Sequence, residues 1–203
     1  TSHPKDATEK LFDTIARCDK VCKHIHLPFQ SGSDRVLKLM NRRYTAEKYL
    51  SLIKYAKEKI PGVTFTSDVI VGFPTETEED FEETLKLVKE VGFNGLFTFL
   101  FSPRKNTPAA EMEGQVSPEI KQKRFNRLLD LQNENSRASN EEYLGKEVEV
   151  LVEGYADGRN GEMTGRTDGN IIVRFPAEDG VLKQFVRVKI ERVQNWAMFG
   201  RII

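Results

Sequence analysis

The first part of the chain alternates short apolar runs with segments whose apolar residues recur at helical spacing. The runs have the length and composition of buried strands, and they lie at residues 23–29, 63–71 and 96–101. The helical segments lie at residues 5–17, at residues 34–40, after the N-cap Thr45 and after the N-cap Thr77. Strands that alternate with helices in this way predict a parallel sheet with right-handed crossovers, which is an α/β fold.

The pattern changes after a proline-containing loop at residues 102–117. Ser117 as N-cap and Pro118 at the first helical position predict a long helix over residues 119–143. Its predicted inward residues are Phe125, Leu128, Leu129 and Gln132. Its predicted polar side carries Lys121, Lys123, Arg124, Arg127 and Arg137. Glycine-rich turns then separate short β-rich runs at residues 148–153, 162–167, 170–175, 185–190 and 196–202. Such runs predict a small antiparallel barrel that closes its own edges. We therefore expect three parts: residues 1–117, a connecting helix at 118–144, and a barrel at 145–203.

The predicted parallel sheet is too small to form a domain by itself, because a parallel sheet needs both of its faces covered. The start of the chain, Thr1-Ser2-His3-Pro4, reads as the loop after a strand. We expect the chain to be a fragment that lacks the N-terminal half of the same polypeptide. An exposed sheet edge would allow such a fragment to form a dimer.

Polar residues follow the predicted strands, at the end where α/β folds bind ligands. The first turn offers side chains that can hydrogen-bond a ribose or a carboxylate, with Ser33 as the N-cap of the next helix; the alternative is a capped turn without a ligand. Near the second turn, Asp68 faces the same side of its strand as Ile70 and Gly72, where it could bind a polar ligand. The alternative is that Asp68 is an edge carboxylate in water. Gly72 would let a flat ring approach the backbone. The candidates for one shared pocket are Gln30, Ser31, Ser33, Asp68, Gly72 and Ser102.

Composition narrows the classes of protein. Hydrophobic residues make up 38% and charged residues 31%, which indicates a globular protein. No apolar run reaches the roughly 20 residues of a membrane helix, and we expect neither a signal peptide nor a membrane partner. Cys18 and Cys22 are spaced like the first two thiolates of an iron–sulfur motif, but the chain has only 2 cysteines, so we expect no metal site and place the protein in the cytoplasm. His24 and His26 are interpreted as structural.

Basic residues suggest a polyanionic partner, although the net charge is zero. Residues 1–60 hold 13 basic and 7 acidic side chains, which ordinary solvated helix faces would also explain. The candidate phosphate contacts are Arg124, Arg127, Lys146, Arg159, Arg166, Arg174, Lys183, Arg187 and Lys189, and the candidate stacking groups are Phe175, Phe185 and Trp196. The alternative for each aromatic residue is a place in the core.

Four stretches together resemble the radical S-adenosylmethionine methylthiotransferases: residues 24–45, residues 69–77, residues 101–110, and the barrel with its Gly165-Arg166-Thr167 signature. The resemblance covers essentially the whole chain, and it is strongest to the branch that adds a 2-methylthio group to N6-dimethylallyladenosine-37 of tRNA. It implies the C-terminal half of a partial (β/α) barrel followed by a TRAM domain, the RNA-binding barrel of the family. The superfamily signature at the second strand is only partly present. Asp68 replaces its first glycine, and Glu76 lies one residue after the position of its glutamate.

The resemblance also implies cofactors and roles. S-adenosylmethionine would bind at Gln30, Ser31, Ser33, Asp68, Gly72 and Ser102. Two 4Fe-4S clusters belong to the intact enzyme, but their ligands are absent from this chain, so it would hold no catalytic residue or metal and be inactive alone. The TRAM barrel and the long helix would bind the tRNA anticodon arm. The alternatives are a non-catalytic RNA-binding protein and a sibling branch that modifies threonylcarbamoyladenosine in tRNA or a ribosomal protein.

Overall fold

A three-stranded parallel sheet organises the first part of the chain in the computed structural model, which describes residues 2–156 and 161–203. Its strands are β1 (His24–His26), β2 (Thr64–Val71) and β3 (Gly95–Leu100), in the order β1-β2-β3. Both strand pairs are parallel, which confirms the predicted α/β sheet.

Six helices accompany the strands in the described residues: α1 (Glu9–Arg17), α2 (Asp34–Leu39), α3 (Ala46–Lys59), α4 (Glu78–Val91), α5 (Pro108–Glu111) and α6 (Pro118–Glu141). The predicted caps at Thr45 and Thr77 are confirmed, because each side chain accepts a backbone N–H of the first helical turn. Ser33 differs from the expectation. It occupies the N-cap position of α2, but its hydroxyl makes no cap hydrogen bond and donates to Asp80 Oδ1 at 2.6 Å.

One face of the sheet is covered and the other is open. On the covered face, Phe65, Val69 and Val71 are buried in a core shared with α3, α4 and Leu128 of α6. Residues alternate between the two faces of a strand, and the intervening Thr66, Asp68 and Ile70 of β2 are only half-buried. On β3 the aromatic rings of Phe97 and Phe99 are 58% and 51% exposed. The open face is therefore partly apolar and accessible.

The last part of the chain is a closed five-stranded barrel in the order β4-β5-β6-β8-β7. Its strands are β4 (Glu147–Tyr155), β5 (Glu162–Arg166), β6 (Ile172–Pro176), β7 (Phe185–Val193) and β8 (Met198–Ile202). The predicted small barrel is confirmed, but it is not wholly antiparallel, because β6 and β8 pair in parallel. This pairing closes the barrel. Phe175 belongs to its core, whereas Phe185 and Trp196 are exposed.

Helix α6 connects the sheet to the barrel. Its buried stripe recurs every fourth residue and consists of Arg124, Leu128, Gln132, Ser136 and Asn140. This stripe corrects two predicted positions: Arg124 lies on the buried side and Leu129 on the exposed side. The charged head of Arg124 is paired there with Glu76, in the loop after β2, and with Glu78, the first residue of α4.

The barrel contacts the sheet at the N-terminal ends of its strands. The backbone N–H of Lys23 donates to Asp168 Oδ1 at 3.2 Å, and the Thr64 hydroxyl donates to the Gly169 carbonyl at 2.7 Å. On the other side, the Asn140 amide at the end of α6 donates to the Gln194 carbonyl at 2.7 Å. None of the helices in the two described ranges is long and apolar enough to cross a membrane.

The glycine of the Gly165-Arg166-Thr167 signature permits close contact between β4 and β5. A Cβ at Gly165 would lie 2.3 Å from the Leu151 carbonyl oxygen. We expect Gly165→Ala to lower the free energy of unfolding by about 1–3 kcal/mol, since the backbone of β4 would have to move. Urea denaturation measures the change. Gly154→Ala in the same barrel is the matched control, because its Cβ would meet nothing within 4 Å; equal losses in both variants would contradict the packing argument.

Candidate functional site at the strand ends

The C-terminal ends of the three parallel strands lie at one edge of the sheet. Gln30 follows β1 and pairs with Val69 of β2. Its N–H donates to the Asp68 carbonyl at 3.0 Å, and its own carbonyl accepts the N–H of Ile70 at 3.0 Å. Gln30 has a φ of 66°, which is uncommon for a residue other than glycine and often marks functional sites. The backbones of Gln30 and Asp68 therefore lie side by side at this edge.

A chain of polar side chains runs along the open face. His24 Nε2 and His26 Nδ1 each lie 2.9 Å from the Thr66 hydroxyl, and His26 Nε2 lies 3.3 Å from Asp68 Oδ1. Burial, with smaller contributions from His26 and Arg166, lowers the pKa of His24. Both histidines are structural in the prediction from sequence, which does not connect them with Asp68. The two histidines alternate on β1 and face Thr66 and Asp68 on β2. This alternation is the sequence signal that could have connected them with Asp68.

Aromatic rings border this polar chain. Phe97 is level with Asp68, and Phe99 is level with Ile70. The ring of Phe97 also meets His26 edge to face, with centroids 5.7 Å apart. A flat, polar ligand could contact the rings and hydrogen-bond the histidine and carboxylate on the same surface.

Ser31 and Ser33 do not join this surface. Both are 1% exposed and lie against α4. The Ser31 hydroxyl accepts the N–H of Ser33 at 3.2 Å and is 3.5 Å from Thr84 Oγ1, whereas Ser33 donates to Asp80. Their polar groups are used within the protein. The first turn thus separates into Gln30, which reaches the strand-end edge, and two serines that fix α2 on α4.

Gly72 has a different neighbour from the flat ring that we expected. Its φ is 76°, its N–H donates to Glu76 Oε1 at 3.0 Å, and a Cβ there would lie 2.4 Å from Cγ of Lys121. The Lys121 ammonium donates to the Phe101 carbonyl at 3.0 Å. Gly72 therefore makes room for the side chain that attaches α6 to the end of β3. Ser102 follows Phe101 and is exposed.

A buried ion pair fixes the loop after β2. Arg124 Nη1 lies 2.8 Å from Glu76 Oε1, and the two side chains are only 6% and 2% exposed. Burial raises the pKa of Glu76, although the Gly72 N–H and Arg124 act against that shift. Arg124 also pairs with Glu78, and Arg127 with Glu78 and Glu82. Both arginines, predicted to contact RNA, are thus engaged with α4 and its N-terminal loop.

A second acidic group holds α2 against α4. Burial alone would raise the pKa of Asp80, but hydrogen bonds from Arg35, Ser33 and Thr77 outweigh it and hold the pKa of that carboxyl well below its usual range. Asp80 therefore remains ionised at neutral pH. Arg35 also donates to the Thr75 carbonyl and hydroxyl, and Thr75 has a φ of 65°. These bonds hold a β-branched residue in a conformation that it rarely adopts.

Metal ligands are not grouped anywhere in the described ranges: no cluster of three or more His, Cys, Asp or Glu side chains could hold an ion. Cys18 and Cys22 are both free thiols. The described residues therefore offer no ligand set that fits an iron–sulfur cluster.

The basic residues of the barrel are mostly exposed and lie beside acidic or aromatic partners. Arg166 pairs with Glu153 at 3.1 Å, and Arg187 with Glu147 at 3.0 Å. The guanidinium of Arg174 lies over the ring of Trp196, and the Lys146 ammonium lies over Tyr143. Lys183 and Lys189 are exposed, and Arg159 lies outside the described residues.

The ion pair of Arg124 with Glu76 can be tested by stability. We expect Arg124→Met to lower the free energy of unfolding by about 3–5 kcal/mol, because it leaves a carboxylate buried without a partner. Arg137→Met, which removes an exposed pair with Glu141, is the control and should cost about 0–1 kcal/mol. Adding Glu76→Gln to Arg124→Met should restore most of the loss in denaturant titrations. A double variant as unstable as the single one would show that charge burial is not the cause.

Two family models match the chain. The Radical SAM superfamily model matches residues 1–88, and the TRAM domain model matches residues 141–203. A solved structure described as coproporphyrinogen III oxidase (HemN) from Escherichia coli, a radical SAM enzyme, superposes with a TM-score of 0.56 and 14% identity. The match covers 98% of this chain and 49% of that one. At this identity it shows the fold alone.

Curated proteins are much more similar. Three proteins named tRNA-2-methylthio-N(6)-dimethylallyladenosine synthase, from Alkaliphilus oremlandii, Acetivibrio thermocellus and Moorella thermoacetica, are 50%, 50% and 49% identical over 203 residues. Each match covers 100% of this chain, which spans 43%, 42% and 46% of their respective lengths. Residues 1–88 therefore belong to the Radical SAM superfamily and residues 141–203 form a TRAM domain, in a chain that is about half identical to these synthases.

Proposed function

We propose that this chain is part of a tRNA methylthiotransferase that adds a 2-methylthio group to N6-dimethylallyladenosine-37 of tRNA. The observation that supports it most is the identity of about one residue in two along all 203 residues to synthases of that name. Because this similarity includes the sheet, α6 and the barrel together, it favours the complete activity over a separate RNA-binding role.

We propose that the strand-end edge and the open face bind S-adenosylmethionine. Asp68 and Ser102 offer polar groups there, Gln30 lies at the same edge but is only 9% exposed, and Phe97 and Phe99 are exposed ring surfaces. Once bound, S-adenosylmethionine supplies the radical chemistry of the superfamily. The residues of this chain would bind and orient it, and the carboxylate of Asp68, held by His26, would accept hydrogen bonds. Ser31, Ser33 and Gly72 would act indirectly, by fixing the first and second turns.

The remaining parts of the proposal concern domains and partners. Residues 1–117 would form part of the (β/α) barrel, 118–144 the connecting helix and 145–203 the TRAM domain. The two 4Fe-4S clusters would be held by parts of the polypeptide that the synthases have and this chain does not span. The partner would be the anticodon arm of tRNA, in the cytoplasm. A dimer of the isolated chain would use the outer edge of β3, with which no strand of the described residues pairs.

A chimaera tests the activity. These 203 residues would replace the matching segment of the Alkaliphilus oremlandii synthase, in cells without their own synthase. We expect mass spectrometry of tRNA nucleosides to show 2-methylthio-N6-dimethylallyladenosine. An unmodified precursor from a chimaera that is soluble and binds tRNA would contradict the proposal, and a 2-methylthio group on threonylcarbamoyladenosine would indicate a sibling branch.

The purified chimaera also tests the cofactor site. Asp68→Asn should raise the KM for S-adenosylmethionine by about 10- to 100-fold, because a hydrogen bond to a charged group is lost. Asp130→Asn on the exposed side of α6 is the matched control and should leave the KM unchanged.

Arg166 tests the RNA-binding part of the proposal. The side chain is 39% exposed, and we expect Arg166→Ala to weaken tRNA binding and to reduce the slope of log affinity against log salt by about one. Filter binding at several salt concentrations measures both. Lys89→Ala, an exposed basic residue on α4, is the control. An unchanged slope in a variant that melts like the parent would remove Arg166 from the RNA contacts.

A further inference from the structure

Four side chains on the outside of the barrel form a row in which guanidinium groups and aromatic rings alternate. The Arg174 guanidinium lies 4.6 Å from the ring centroid of Trp196. Trp196 and Phe199 meet edge to face with centroids 6.0 Å apart, and the Arg192 guanidinium lies 3.6 Å from the centroid of Phe199. We call these four residues the Arg–aromatic row.

Strand pairing brings the row together. Phe199 of β8 pairs with Arg174 of β6 on one side and with Arg192 of β7 on the other. The neighbouring Val173 and Met198 point into the barrel core, so the pleat directs the row outward. The alternation is therefore set by the register of three strands rather than by flexible side chains that meet by chance.

Trp196 is unusual in its exposure. It is 54% exposed, although tryptophan has the largest apolar surface of any side chain and a structural role would usually bury more of it. Its contact with Arg174 resembles the cation–π pairs of binding surfaces, where tryptophan and arginine are enriched. A ring that is held in place and still exposed can receive another flat group.

The turn that carries Trp196 is fixed from two directions. Within the turn, the Gln194 N–H donates to the Ala197 carbonyl at 2.8 Å. From outside, the Asn140 amide of α6 donates to the Gln194 carbonyl at 2.7 Å. Little conformational freedom remains to be lost when a ligand binds, which favours affinity.

We propose that the Arg–aromatic row binds an unpaired nucleobase of RNA, stacked on Trp196, with Arg174 and Arg192 contacting the adjoining phosphates. Aromatic rings and guanidinium planes are the groups on which proteins stack bases splayed out of single-stranded RNA. The inference deepens the proposed function, because it rests on an RNA partner and specifies how one surface of the barrel contacts it. Stacking tolerates any base, so the surface would add affinity rather than select a sequence.

Trp196 provides a direct readout, because it is the only tryptophan in the sequence. We would titrate the 203-residue chain with hexa-adenylate RNA and follow tryptophan fluorescence, with inorganic tripolyphosphate at equal ionic strength as the probe without bases. Stacking predicts saturable quenching by the RNA and none by tripolyphosphate. Equal quenching by both, or none by the RNA, would overturn the proposal.

Variants separate stacking from general attraction. Trp196→Ala should weaken hexa-adenylate binding by about 5- to 100-fold in fluorescence anisotropy, as for loss of one stacked base. Leu182→Ala is the matched control: this apolar residue precedes β7 of the same barrel, is 39% exposed and is outside the row. Circular dichroism would confirm that both variants fold. Equal affinity of Trp196→Ala and the parent for hexa-adenylate would overturn the proposal. That result would leave the proposed activity standing, because methylthiolation by the chimaera tests it separately.

Discussion

The buried pair of Arg124 and Glu76 makes the strand-end loop and the long helix one unit. Glu76 accepts the N–H of Gly72 and faces Arg124, so one carboxylate fixes both the turn after β2 and the start of α6. Two charges removed from water are stable together only when their hydrogen bonds are satisfied. Arg124 meets this condition, since it also bonds the Glu76 carbonyl and Glu78. A displacement of α6 would therefore disturb the edge at which the parallel strands end.

The same helix extends this constraint to the barrel. Its 24 residues span about 36 Å, and its buried stripe begins at the ion pair and ends at Asn140, which binds the turn that carries Trp196. The stripe becomes polar toward its C-terminal end because Gln132 and Ser136 bond backbone carbonyls around Phe93 and Asn94. Such bonds are directional, so they specify the rotation of the helix better than apolar contacts would. The strand-end edge and the Arg–aromatic row are thus held by opposite ends of one rigid element.

Much of the fold could be predicted from the sequence, because hydrophobic period and cap residues are local signals. The helix that begins after Thr77 and the strand around Val69 follow from such signals. The candidate site was harder to predict from the sequence, because its side chains bond residues that are distant in the chain. Ser33 bonds Asp80, 47 residues away, and Arg124 bonds a loop 48 residues away. Periodicity tells which face a residue occupies, but not whether a polar group is satisfied within the protein or remains available to a ligand.

The contacts of the barrel indicate how the two surfaces are related. The barrel touches Lys23 and Thr64, at the N-terminal ends of β1 and β2, whereas Gln30 and Gly72 lie at the opposite ends. β2 has 8 residues and is therefore about 26 Å long. Arg166 contributes to the lowered pKa of the His24 imidazole, and Asp168 of the barrel accepts the N–H of Lys23, the residue before His24. The barrel therefore borders the His24 end of the sheet, opposite to the strand-end edge at Gln30. The barrel contacts and the strand-end edge thus lie at opposite ends of β2, and the polar chain of His24, Thr66, His26 and Asp68 lies between them.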